Sequence, residues 1–250
     1  MEVIAHRGNT FYAPENTMAA FLSAASYNIS GIELDVQWTK DGVPVVFHDE
    51  KVDRTTNGSG WIRSFTYREL RQLDAGSWFA GRFGGEKIPS LEEVLEWMKG
   101  EDITLHMEVK KPPRQFEELL DMTLGMIENH GMAHKTVVST FYHPLLTYMA
   151  GQKRTHFQRA FLTKTPLFRG IRYLNSIQAH AIHIRHSYQA MRFYPLWAKN
   201  GIPVRAYTIN REKEALRCKR LNVTSIITDD PKTMTSLFHQ PEHSHGENKI

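Results

Sequence analysis

The sequence predicts an α/β fold of the (β/α)8 type, a TIM barrel, and three observations carry that expectation. Strand-like and helical segments alternate about eight times along the chain, the number at which parallel strands joined by outer helices close into a barrel. The length of 250 residues matches one such domain. Histidines, carboxylates, an arginine and a lysine fall at the ends of the early strand-like runs, where a barrel places its active site.

The first run, Val3-Ile4-Ala5, ends in His6-Arg7-Gly8. Histidine moves a proton near neutral pH. The arginine fork matches phosphate or carboxylate, and glycine allows a sharp turn and a close ligand approach. Alone, the triplet fits a structural turn better than a catalytic site. Pro14 suits a helix start, and Met18, Ala19, Phe21, Leu22 and Ala25 share a helical face. Gly31 to Val36 reads as the second strand, with Glu33 and Asp35 two apart and so on one side of it. Either these acids hold a divalent metal, or they form a solvent-exposed polar face opposite buried Leu34 and Val36. Asp41-Gly42 signals a tight turn before Val43 to Phe47, an extended run that delivers His48-Asp49. A lone His48 would be structural; together, His6 and His48 have the form of an acid–base pair around one reacting bond.

Residues 49 to 87 are turn-rich and too long for a barrel connection. They are expected to fold over one end of the barrel as a small subdomain inserted after the second strand. Trp61, Trp78 and Phe79 would pack it down, or one of them would line a cleft. Ser90 and Glu93 form a capping box for a helix with Leu91, Val94, Leu95 and Met98 on its apolar face. Ile103 to Lys110 is the next strand. Glu108 and Lys110 share a face, so Glu108 joins the two earlier acids and Lys110 holds a phosphate oxygen, or the two form a plain ion pair. Strands over 136–139, 157–162, 181–184, 201–208 and 225–228 alternate with helices over 116–130, 144–150, 167–176, 191–199, 212–220 and 231–238. No internal repeat argues for a solenoid. The domain spans 1–239, and the polar tail 240–250 is expected to be disordered. His239, His243 and His245 could nonetheless bind metal.

Composition narrows the class. The chain is 41% hydrophobic and 23% charged, ordinary for a globular domain. The net charge of +4, without a run of five or six basic residues, does not point to nucleic acid; a mildly positive cleft suits a phosphate-bearing substrate. A single cysteine, Cys218, excludes an internal disulfide and is expected on a surface or half-buried helix. No signal peptide or membrane span is evident, so a cytoplasmic protein is expected.

The inventory of two histidines, three acids, an arginine and a lysine is what a phosphodiester needs. A metal neutralises a phosphoryl oxygen, the cations stabilise transition-state charge, and the histidines exchange protons with the entering and departing oxygens. At this point the chain resembles the glycerophosphodiester phosphodiesterases of the bacterial soluble type. The matching residues are His6-Arg7-Gly8, Pro14-Glu15-Asn16-Thr17, Glu33-Leu34-Asp35-Val36 and Val45-Val46-Phe47-His48-Asp49. They continue with Leu73-Asp74-Ala75-Gly76-Ser77-Trp78-Phe79, Ile88-Pro89-Ser90-Leu91-Glu92-Glu93, Glu108-Val109-Lys110 and Thr228-Asp229-Asp230-Pro231.

The resemblance implies hydrolysis of glycerophosphodiesters to sn-glycerol 3-phosphate and an alcohol with Ca²⁺ or Mg²⁺. By position, Glu33, Asp35 and Glu108 would bind the metal. His6 would be the base and His48 the acid, and Arg7 and Lys110 would contact phosphate. Glu15 would be a polar residue of the site. Tyr207, in Tyr207-Thr208-Ile209-Asn210, stands where the family often has tryptophan and would keep an aromatic face for glycerol carbons. The nucleophile is either water or a neighbouring hydroxyl of the substrate. The expected partner is a small glycerophosphodiester, with neither nucleic acid nor stable membrane insertion, and the chain would be a monomer or homodimer. A lysophospholipase D-like activity at the same site is the rival enzyme reading. A binding protein that kept the fold is the non-enzyme one, and the paired histidines argue against it.

Overall fold

The computed structural model describes residues 1–110, 116–152 and 154–238. Eight parallel strands close on themselves: β1 (Glu2–His6), β2 (Gly31–Trp38), β4 (Thr104–Val109), β5 (Thr136–Thr140), β6 (Gln158–Thr163), β7 (Ala181–Arg185), β8 (Val204–Tyr207) and β9 (Ser225–Thr228). Pairing of β1 with both β2 and β9 completes the ring, the (β/α)8 barrel expected from the alternation.

Period-two alternation explains how the strands serve two layers at once. Ile32, Leu34 and Val36 join Phe21, Leu91, Leu95 and Leu120 of the outer helices in one buried cluster, each contributing about 1.5–3 kcal/mol of burial. The intervening Glu33 and Asp35 therefore face the barrel interior, and they are buried rather than solvent-exposed. Register then does the assembly. His6 lies opposite Glu33, and Asp35 opposite Glu108.

The run at 43–47 is not a barrel strand. Its core, β3 (Pro44–Val46), pairs antiparallel with the far end of β2, Val36 opposite Val46, and so belongs to the insertion. The insertion has its own small core of Val45, Phe47, Val52, Ile62, Leu70, Ala75 and Ile88. Trp61 and Trp78, expected as its anchors, are 38% and 40% exposed. Six aliphatic residues and Phe47 interdigitate between the short turns, and the two indoles are left outside.

Three local expectations shift for backbone reasons. Residues 14–17 form a turn rather than the first helical turn. Helix α1 (Met18–Ala25) starts one residue after Thr17, whose hydroxyl accepts from Ala20 N. The stretch 191–199 is two short helices, α7 (Tyr188–Met191) and α8 (Tyr194–Lys199), because Pro195 can sit only in a first turn. Cys218, on α9 (Glu212–Arg220), is fully buried, with Sγ 3.6 Å from His186 Nδ1. The capping box of Ser90 and Glu93 forms as expected at the start of α3 (Leu91–Met98). No helix among the described residues is long and apolar enough to cross a membrane. The tail 240–250 and His239 lie outside the described residues.

Candidate active site

The site forms at the C-terminal ends of β1, β2 and β4. Ligand oxygens of Glu33, Asp35 and Glu108 lie within 4.8 Å of one another. Three carboxylates this close repel. Burial and the Asp35 charge hold the Glu33 carboxyl well above its usual range, and Glu108 is raised for the same reasons. Asp35 is equally buried, yet Lys110 and Arg7 outweigh the burial and keep it ionised. Lys110 Nζ is 2.6 Å from both Asp35 and Glu108, and Arg7 Nε is 3.1 Å from Asp35. Asn16 Nδ2 donates to Asp35 Oδ2 at 2.8 Å. A hard divalent cation fits this donor set, since it would relieve the same repulsion that Lys110 and Arg7 offset here.

Both histidines are oriented by an acid on Nδ1. His6 Nδ1 is 2.6 Å from Asp229, just past β9, and His48 Nδ1 is 2.5 Å from Asp49. That fixes each ring and leaves Nε2 free to work; His6 Nε2 is 4.0 Å from Glu33. Burial lowers the His6 pKa, but the Asp229 hydrogen bond and the Glu33 charge overcome it and the net shift is upward. His48 shifts downward, through burial and the Lys110 and Arg7 charges, against the pull of Asp35 and Asp49.

Glu15 holds arginines. It accepts from Arg7 at 2.8 Å and from both terminal nitrogens of Arg54 at 2.8 Å. Burial raises its carboxyl, but these contacts bring it below the usual range. Arg54 also reaches Asp49 at 2.7 Å, so one guanidinium of the insertion ties the first barrel loop to the acid behind His48. Arg7 and Asn16 both sit in the left-handed region at φ 56°, a conformation that non-glycine residues adopt mainly where the surroundings enforce it. Here the backbone N–H of Asn16 donates to Arg7 O. Gly8, at φ +91°, makes room for protein rather than ligand, because a Cβ there would come within 2.6 Å of the Ala20 Cβ.

Tyr207 donates its hydroxyl to Thr163 O at 2.9 Å and lines the cavity together with Thr208. That cavity, about 240 Å³, is bordered by His6, Arg7, Glu33, His48, Glu108 and Lys110, so every expected site residue except Asp35 and Glu15 touches it directly. Two hollows flank it. One of about 420 Å³ lies on the His6 side with Asp229 and Phe11; one of about 550 Å³ lies on the His48 side with Phe141 and Tyr142.

Residue-by-residue reading did not single out Asp229, Asn210, Arg54, Asn16 or Ser139. Asp229 and Asn16 stand in quoted motifs without a role. Asn210 fixes Asp229 by donating at 2.5 Å and accepting from its backbone N–H at 2.9 Å. Arg54 has no periodic or spacing signal. Ser139 lines the cavity, and its buried Oγ has no hydrogen-bond partner among the described residues.

The glycerophosphoryl diester phosphodiesterase family matches residues 6–233. A glycerophosphodiester phosphodiesterase of Caldanaerobacter subterraneus is 35% identical over 238 residues, covering 95% of this chain and 98% of that one. A phosphodiesterase of Oleispira antarctica, solved in complex with the product sn-glycerol-3-phosphate, superimposes with a TM-score of 0.90 at 30% identity, covering 96% of this chain and 97% of that one. A glycerophosphodiester phosphodiesterase of Agrobacterium tumefaciens superimposes with a TM-score of 0.79 at 28% identity, covering 94% and 99%. With eight closed strands, the inward acids of β2 and β4 and a family match over nearly the whole chain, this protein belongs to the glycerophosphoryl diester phosphodiesterase family.

Proposed function

We propose that the chain hydrolyses glycerophosphodiesters to sn-glycerol 3-phosphate and an alcohol, with His6 and His48 as the proton-transfer pair and Ca²⁺ or Mg²⁺ held by Glu33, Asp35 and Glu108. The observation that carries this reading is one cavity lined by His6, His48, Glu33, Glu108, Arg7 and Lys110, with Asp35 behind it paired to Arg7 and Lys110. When bound, the cation neutralises phosphoryl oxygens and so draws out transition-state charge.

The chain's own residues do the rest. Arg7 offers the phosphate its remaining donor edge, and Lys110 turns from the carboxylates toward it. His6 Nε2 accepts the proton of the attacking oxygen, which belongs to water or to a neighbouring substrate hydroxyl; in the second case a cyclic phosphate forms first and a water then opens it to glycerol 3-phosphate. As the new P–O bond forms and the P–O bond to the alcohol breaks, His48 Nε2 donates its proton to the departing oxygen. The unliganded electrostatics lean the other way, His6 raised and His48 lowered. A cation held by Glu33 would weaken the pull of that carboxylate on a His6 proton, and an anionic phosphate beside His48 would favour a proton there. Asp229 and Asp49 hold the rings throughout, and Tyr207 presents a face to glycerol carbons.

The apolar hollow on the His48 side favours one extension of this reading. The acyl chain that a lysophospholipid carries on its phosphate-bearing glycerol would lie along Phe141 and Tyr142 while the head-group alcohol departs, which fits lysophospholipids as a second substrate class. The test is release of glycerol 3-phosphate from glycerophosphocholine, coupled to its dehydrogenase, with EDTA, Ca²⁺ or Mg²⁺. Activity should vanish with EDTA, return with one cation, and fall at least about 100-fold in His48→Ala. Full activity in that variant would remove the pair. Turnover of lysophosphatidylcholine alone would replace the substrate class.

A further inference from the structure

The exposed large apolar side chains are sorted by type. The aliphatic ones, Leu22, Met122, Leu196 and Leu216, sit singly on outer helices, whereas every exposed aromatic one among the described residues lies in a loop after a barrel strand, at the start of α7, or in the insertion. Phe11 and Tyr12 follow β1, while the two most open, Phe168 and Tyr188, stand with Phe141 after β5 to β7. Phe141 follows β5 and is 44% exposed; Phe168 follows β6 at 89%, and Tyr188 follows β7 at 80%. Basic groups are set among them. Lys164 lies 5.7 Å from the Phe141 ring and Arg169 lies 5.9 Å from the Phe168 ring, while Arg185 and Arg192 flank Tyr188 in sequence.

These cations have nothing local to neutralise them. Residues 129–211 contain twelve lysines and arginines and no aspartate or glutamate, while the rest of the chain carries 19 basic and 27 acidic side chains. The overall +4 therefore hides a basic segment, β5 to β8, set against a negative remainder, although Lys135 and Arg154 of that segment pair with Asp102, Asp121 and Glu128. Among the described residues, Lys164, Arg169, Arg185 and Arg192 form no ion pair with a carboxylate.

We propose that this rim docks the catalytic mouth peripherally onto an anionic lipid surface. Aromatic rings at the end of a rigid barrel settle at headgroup depth, where one edge is apolar and the other wet. Uncompensated Arg and Lys beside them are drawn to anionic headgroups while their stems lie along the rings. Self-association through the same patch would set one positive arc against another, which disfavours a two-fold partner. The proposal rests on the phosphodiesterase reading only in pointing the cavity at the lipid. Docked, the hollow beside Phe141 and Tyr142 opens at the bilayer surface.

The test is co-sedimentation of the full chain with sucrose-loaded phosphatidylcholine vesicles, with and without about 30 mol% phosphatidylglycerol, at low and high salt. Binding should be at least about tenfold tighter to the anionic vesicles and weaken with salt. Phe168→Ser/Tyr188→Ser and Arg169→Gln/Arg192→Gln should each weaken it about tenfold, with glycerophosphocholine turnover unchanged as the folding control. The proposal is overturned if the wild type does not sediment, if both lipid compositions bind equally, or if both variants bind like wild type. Solution self-association that the aromatic variant abolishes, without vesicle binding, would assign the rim to a second copy instead. Vesicle binding by a protein with no turnover would sink the phosphodiesterase reading and leave this one standing.

Discussion

The barrel divides into two arcs of four strands with opposite habits. The arc of β9, β1, β2 and β4, with the insertion, holds Asp229, His6, Arg7, Glu33, Asp35, His48, Glu108 and Lys110. Its charges are nearly all used on one another: Arg7 on Glu15 and Asp35, Lys110 on Asp35 and Glu108, Arg54 on Glu15 and Asp49. The arc of β5 to β8 lines the same cavity with Ser139, Leu162, His183 and Tyr207 and carries no acid at all. Lys135 and Arg154 of this arc pair with acids outside it, whereas Lys164, Arg169, Arg185 and Arg192 at the rim pair with no carboxylate among the described residues. Dense charge organises chemistry only where opposite charges lock one another in place; where one sign stands alone, it acts on what lies outside the molecule.

The sharpest break of this comparison is Asp35→Asn. It is nearly isosteric but leaves Arg7 and Lys110 facing each other without the charge between them. Turnover of glycerophosphocholine should fall about 10²–10³-fold, and urea unfolding should report a loss of about 3–5 kcal/mol. If activity survives within a few-fold, the acidic arc is structural and the site lies elsewhere.

A smaller effect should come from Arg54→Ala, since that side chain is half-exposed and one step removed from the reacting atoms. Without it, Asp49 and Glu15 lose their shared clamp. Asp49 is held down to about 2, first by the Arg54 hydrogen bond and then by His48. Turnover should drop about tenfold with a stability change below about 1 kcal/mol. A loss as large as that of Asp35→Asn would promote Arg54 to direct substrate contact.

The smallest concerns the second arc as a rigid frame. Cys218 packs under His186, and burial pushes its thiol up to about 12. A raised pKa favours the neutral thiol, so no thiolate forms up to about pH 9 while the fold is intact. A disulfide reagent at pH 8 should label nothing in the native protein and one thiol per chain in denaturant. Rapid native labelling would mean that α9 opens, and that this arc is not the frame it looks to be.

Which features could be read without the fold depends on their range. The capping box at Ser90 and Glu93 and the shared face of Glu33 and Asp35 are set by neighbours two or three residues apart, and both are present. The segment at 43–47 carries the same extended pattern as a barrel strand; only its antiparallel pairing with β2 reveals it as part of the insertion. Large rings such as Trp61 and Trp78 are expected to anchor a small subdomain. They stay outside because seven smaller residues already fill the insertion's core.

The sequence by itself determined the alternation that closes a barrel, the histidines and acidic residues at the strand ends, and the absence of acid from 129 to 211. These are properties of spacing and composition and need no partner. Only the tertiary structure decided which of those residues meet. Register sets His6 against Glu33 and Asp35 against Glu108. Ring closure brings Asp229 to His6 across 223 positions, and the insertion brings Arg54 to Glu15 across 39. The physical reason is that a hydrogen bond or ion pair depends on distance and direction, and contacts of such long range are set by the packing of whole elements rather than by any local pattern.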